Sequence, residues 1–161
     1  MHGRPLDLVV TAQSGYLRTR GTPNGCTGHF GSINMQHGTG TRFEFSIRDA
    51  VTDLAVRLPS FFFSFFDIDE HHTTTESIVV SGYDGYRLSR TTSLTAQANS
   101  LHASTQTITL RSGMQNAPNP SHPTRLTNDM KDAAVTFHFR ETATFTVTFN
   151  VGGSAVRQDS F

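Results

Sequence analysis

Hydrophobic and polar residues alternate with a period of two along much of this chain. From Thr41 to Arg48, Phe43, Phe45 and Ile47 point one way, while Arg42, Glu44, Ser46 and Arg48 point the other. Val135, Phe137 and Phe139 alternate in the same manner, and Phe145, Val147, Phe149 and Val151 do so against Thr144, Thr146 and Thr148. A strand sends successive side chains to opposite faces, so each run reads as a strand with one buried face. Arg140-Glu-Thr-Ala143 lies between the last two runs and predicts the bend of a hairpin.

The stretch from Leu58 to Glu70 departs from this alternation. Phe61, Phe63 and Phe65 share one parity, whereas Phe62, Phe66 and Ile68 share the other. With both parities apolar, the pattern predicts a central strand covered on both faces. Such a strand delivers Asp67, Asp69 and Glu70 to one rim of the domain. Further strands are expected at Leu6–Thr11, Phe30–Met35, Leu54–Leu58, Glu76–Ser81, Tyr86–Leu88, Thr91–Thr95 and Ser104–Leu110. Asp49–Asp53 reads as a turn, and the proline-rich Met114–Pro123 as an irregular crossing loop. Thr127–Asp132 is the one helical candidate, with Thr127 as its cap and Asp129 in its first turn. The fold class this implies is all-β: a single antiparallel β-sandwich or jelly-roll-like domain over residues 1–161, with at most one short helix.

Composition narrows the function classes. The chain has 161 residues, enough for one domain with a sizeable core. Its formal net charge is zero and it holds no basic run, so no nucleic acid partner and no acidic membrane surface is expected. No apolar stretch approaches the roughly 20 residues of a membrane span. Cys26 is the one cysteine, which excludes an internal disulfide and leaves either a small buried hydrophobe or a bridge to another chain. The opening Met-His-Gly-Arg-Pro-Leu lacks the apolar core of a secretory signal, so the chain is expected either to be made without one or to have lost a leader. Asn119 is followed by Pro120, which removes the nearest candidate for an N-glycosylation acceptor.

Candidate chemistry concentrates after the phenylalanine run. Asp67, Asp69 and Glu76 place hard oxygens on one loop, and calcium takes six to eight such ligands, filling its shell with carbonyls and water. The plainer alternative is that these carboxylates accept loop amides, or pair with Arg87 or Arg90. Tyr83, Asp84 and Tyr86 surround a turn beside the same rim and could stack on a sugar ring and bond its hydroxyls. His71 and His72 suggest zinc, but adjacent strand residues point apart, and the missing ligands would have to come from His102, His122 or His138. No Gly-x-Ser-x-Gly elbow is present, and Asp67 with Glu76 is the one carboxylate pair that could serve glycoside hydrolysis. The glycines between Gly21 and Gly40 lack the lysine and following helix of a phosphate loop, so they read as turn residues.

Phe63-Ser-Phe-Phe-Asp-Ile-Asp-Glu70, a short polar loop, and Glu76-Ser-Ile-Val-Val-Ser-Gly-Tyr83 together resemble β-rich domains of predicted surface or secreted proteins of bacteria and microalgae. That resemblance implies a sandwich and an extracellular, cell-surface or organelle-lumen location. The resulting expectation is a non-catalytic binding or assembly module, stabilised by calcium, that contacts a glycan or a protein partner. The alternatives are an accessory subunit docked into a larger complex by a strand edge or by the Met114–Pro123 loop, and a glycan-acting enzyme.

Overall fold

The computed structural model describes residues 3–21, 23–71, 74–99 and 106–153. Within them, antiparallel strands form two packed sheets and a small hairpin, and one short helix is present. The all-β sandwich expected from the alternation is what the chain forms.

The larger sheet runs β1 (Leu6–Ala12), β4 (Thr39–Asp49), β12 (Thr144–Gly153), β7 (Thr74–Ser81), β10 (Thr107–Arg111) and β9 (Thr95–Asn99), with β6 (Glu70–His71) pairing onto β7. The smaller sheet has three strands in the order β5 (Leu58–Phe65), β11 (Val135–Thr142) and β8 (Gly85–Leu88). A hairpin of β2 (Gly25–Thr27) and β3 (Phe30–Ser32) stands apart. The helix α1 (Asn128–Asp132) is capped as the sequence predicts, with the Thr127 hydroxyl accepting from the Met130 amide at 3.3 Å.

The core is a stack of aromatic rings between the sheets. Phe45 and Phe145 stack from neighbouring strands at 4.9 Å, and Phe139 meets Phe145 from the opposite sheet at 4.4 Å. Phe63 and Phe65 close on Phe45 from β5. Phe137 and Phe139 are fully buried. Each well-placed aromatic pair adds roughly 0.5–1.5 kcal/mol beyond its burial, which makes this stack the main organiser of the sandwich.

Two expectations are corrected here. The strand β5 is an edge strand of the small sheet, not a central strand. Its inner parity, Phe61, Phe63 and Phe65, packs on the core, but Phe62 on the outer parity is 59% exposed. The runs Val135–Phe139 and Phe145–Val151 do not form a hairpin either. The strand β11 pairs with β5 and β8, whereas β12 pairs with β4 and β7, so the chain crosses from one sheet to the other between Thr142 and Thr144. Glu141, at φ 45°, makes that crossing possible, and the Thr142 hydroxyl holds it by donating to the Thr144 carbonyl at 2.7 Å.

The large sheet also overhangs the small one. Leu6, Leu8 and Val10 of β1 pair with Asp49, Ile47 and Phe45 and therefore face the core side, yet they stay exposed. Thr91 to Leu94 is not strand, and the strand there begins only at Thr95. Cys26 is exposed and free, not buried.

Candidate functional site

Two places on the sandwich carry chemistry, and they lie on different parts of it. One is the acidic rim. Chain geometry after Phe65 sets it: Asp67 takes φ 64°, so strand alternation does not carry on from β5 through Asp67 to Asp69. Ile68 is buried, and its amide donates to the Ala133 carbonyl at 3.0 Å. The Glu70 amide donates to Met114, and the Asn116 amide donates back to Glu70, so the crossing loop is stitched to the rim.

Within this frame the structure brings Asp67, Asp69 and Glu76 close enough to act on one another's charge. Burial pushes Glu76 up to about 7, with further upward pressure from Asp69 and Asp67, while an amide bond from Asp69 pulls the other way. Burial also raises Asp67 to about 6, helped by the charge of Asp69. The Glu76 amide donates to the Asp69 carbonyl at 3.2 Å, and the Ser112 amide donates to Glu76. These bonds join main-chain groups, while the amide of Asp69 acts on the Glu76 carboxylate. Among the described residues no three His, Cys, Asp or Glu side chains are arranged as a ready metal-ligand set.

The histidines are dispersed. His122 packs its ring on His29 at 4.5 Å and His138 lies on the small sheet, while His72 and His102 fall outside the described residues. Of His71 only the backbone is described, pairing with Thr74.

The second place is the outer face of the small sheet, and register builds it. His138 of β11 sits opposite both Phe62 of β5 and Gly85 of β8, and Thr136 sits opposite Ser64 and Arg87. Paired residues share a face, so Phe62, Ser64, Thr136, His138 and Arg87 all point away from the core. Arg140 follows His138 on the same parity. A groove of about 320 Å³ results, with Phe62, Arg87, His138 and Arg140 among its walls.

Its parts fit together closely. The Phe62 and His138 rings stack at 4.7 Å, 24° from parallel. The Ser60 hydroxyl and His138 Nε2 are hydrogen-bonded at 2.8 Å, which fixes the imidazole. The Ser64 and Thr136 hydroxyls bond at 2.7 Å beneath Arg87, whose guanidinium lies 5.8 Å from the centre of the Phe62 ring. A Cβ placed on Gly85 would meet nothing within 4 Å, so glycine leaves the groove floor open at the centre.

The predicted ligand residues border this groove. Tyr86 adjoins it and is 41% exposed, but it sits opposite the buried Phe137, so its ring lies on the inner face, 6.0 Å from Tyr83 and 6.2 Å from Phe137. Asp84 is exposed just before β8, with its amide donating to the His138 carbonyl at 2.9 Å. Tyr83 is only 8% exposed, its ring 5.1 Å from Phe137, so it belongs to the core beneath the groove and presents no free ring face. The sequence reading missed Phe62, Arg87, His138 and Arg140. The available signal was the odd parity of Phe62 opposite polar neighbours, Ser60 and Ser64 at two residues on either side.

No protein-family model, curated protein or solved structure matches this chain.

Proposed function

We propose that this chain is a non-catalytic binding module that takes a carbohydrate on the outer face of its three-stranded sheet. One observation carries the reading: a large aromatic ring, Phe62, stands 59% exposed in a groove otherwise walled by hydrogen-bonding side chains. An apolar ring that size costs free energy when left in water, roughly 25 cal/mol per Å² of exposed apolar surface. The aliphatic face of a sugar ring covers such a surface, and its hydroxyls then meet Ser60, His138 and the exposed Asp84 carboxylate. The groove has the volume of a small-ligand site at the low end of the ~300–1,000 Å³ range. An immobilised glycan array, probed with the protein and with Phe62→Ala, tests this. The reading predicts retention on at least one glycan class that disappears in the variant. Equal retention by both proteins, or retention by neither, contradicts it.

A second reading concerns the rim and is favoured by a separate observation. Asp67 and Glu76 are partly buried beside Asp69, and burial with mutual repulsion holds both well above the usual carboxylate range. A calcium ion taken up by Asp67, Asp69 and Glu76 would supply the missing positive charge and brace the loop that leads out of β5. In this reading calcium stabilises the module and does not contact the sugar. Presentation at a cell surface, outside the cell or in an organelle lumen accords with both ligands.

A further inference from the structure

The charge of the groove narrows the ligand class. We infer that the outer face of the small sheet selects acidic oligosaccharides, with sugar rings on Phe62 and their anionic groups on Arg87 and Arg140. This inference rests on the binding-module reading and adds its specificity.

Arg87 sits level with Thr136, and Arg140 lies four residues further along the same strand. At about 3.3 Å per residue, the two guanidinium stems are separated by roughly 13 Å along the sheet. The stacked Phe62–His138 pair and the open floor at Gly85 lie between them. One cation, Arg87, lies against the Phe62 ring, its guanidinium 5.8 Å from the ring centre, and the second, Arg140, lies on the far side of His138 along β11. Two cations beside one ring platform suit a short chain of sugars that carries negative groups.

Neither arginine is neutralised by a carboxylate among the described residues, and Arg87 rests on the Phe62 ring. Among the described residues the ion pairs are Arg4 with Asp49, Arg48 with Asp53 and Arg57 with Glu141, and none uses Arg87 or Arg140. Glu141, the acid beside Arg140 in sequence, is engaged by Arg57 at 3.5 Å. Among the described residues no carboxylate lines the groove, and the nearby Asp84 precedes it on the rim of β8. Arginine suits the task because its planar fork bonds two oxygens of one carboxylate or sulfate. Two cations on a chain of zero net charge do not make the long basic track that single-stranded nucleic acid requires, so a sugar acid is the favoured occupant.

Calorimetric titration decides it, with four probes: tetragalacturonate, its fully methyl-esterified form, a sulfated heparin tetrasaccharide and oligo-dT of eight nucleotides. The inference predicts that tetragalacturonate or the heparin tetrasaccharide binds, and that the arm with the stronger signal identifies carboxylate or sulfate as the preferred anion. If carboxylate is preferred, the ester binds at least tenfold more weakly than the acid. Arg87→Ala and Arg140→Ala should each weaken binding of the preferred acidic probe about tenfold, and raising salt should weaken it further. Gly85→Val should abolish it by filling the floor, while melting with the parent, because Gly85 needs no left-handed backbone and its Cβ meets nothing. Equal affinity for acid and ester without sulfate preference, or arginine variants that bind as the parent does, overturns the inference while leaving the module reading intact. Tighter binding of oligo-dT than of either acidic sugar overturns it in favour of nucleic acid. Binding of none of the four overturns it as well, and the glycan array then judges the module reading by itself.

Discussion

The Phe62 ring lies against the His138 ring, 4.7 Å away, with the Arg87 guanidinium 5.8 Å from its centre, and it remains 59% exposed. The two residues are 76 positions apart and meet because β5 and β11 pair in a register that sets them directly opposite. Their contact separates what the phenylalanine run does for stability from what it does at the surface. Phe62→Ala should therefore change stability by no more than about 1 kcal/mol, the value of one exposed aromatic contact. Phe137→Ala, which empties a fully buried position, should cost roughly 3–5 kcal/mol. Chemical denaturation of the two variants measures the contrast.

The rim predicts a pH dependence with an unusual sign. Asp67 and Glu76 have folded-state values of about 6 and about 7, above ordinary values of 3.8 and 4.5. The folded state therefore binds protons more tightly than the unfolded one. Their contribution is fully present below about pH 4 and is lost as pH rises through 6 and 7. The melting temperature in a chelating buffer should fall between pH 4.5 and 7.5. Glu76→Gln should flatten that slope and, at pH 7.5, stabilise the protein by on the order of 1 kcal/mol, or about 2–4 °C for a chain of this size.

Calcium should act on the same groups. At pH 7.5, excess calcium should raise the melting temperature of the parent and leave Asp67→Asn, Asp69→Asn unmoved, since a ligand of the folded state alone must stabilise it. Asparagine tolerates the positive φ at position 67, so the double variant keeps the loop geometry. A chelator scan that matches the calcium scan in the parent would leave the acids of the rim as structural groups only.

At the other end of the sheet Asp49 behaves in the opposite way. It is 1% exposed, pairs with Arg4, and its Oδ1 accepts from the Val51 and Thr52 amides at 3.1 and 2.7 Å and from the Thr52 hydroxyl at 2.9 Å. Bonding led by the Thr52 amide holds it down to about 2, so its stabilisation is present above about pH 4 and is lost as pH falls toward 2. Asp49→Ala should cost roughly 1–3 kcal/mol at pH 7 by opening the 49–53 turn. Asp49→Asn, which retains an acceptor, should cost less. The melting temperature of the parent should consequently peak near pH 4–5.

The sandwich was legible because Phe43, Phe45 and Ile47, and later Phe145 and Val147, alternate with polar residues at strict period two. What periodicity does not encode is which strands become neighbours. Phe62 read as covered because an apolar residue at either parity looks the same in an edge strand as in a central one. The bend at Arg140–Ala143 read as a hairpin because a tight crossing between sheets uses the same short, polar residues. The acids of the rim were legible as a group, but where each one points was not, since a single positive φ at Asp67 ends the strand alternation. Arg87, His138 and Arg140 were invisible as a set because only the pairing of β11 with both β5 and β8 brings them to one face.

The central claim is that the outer face of the small sheet is where this protein meets its ligand. Amide shift mapping by NMR, titrating the acidic tetrasaccharide that binds best into labelled protein, tests it most directly. The account predicts that perturbed amides cluster at Phe62, Gly85, Arg87, His138 and Arg140, with the rim at Asp67–Glu76 and the β1 strand unmoved. Perturbation centred on the rim or on Leu6–Val10, with the small sheet silent, would contradict it.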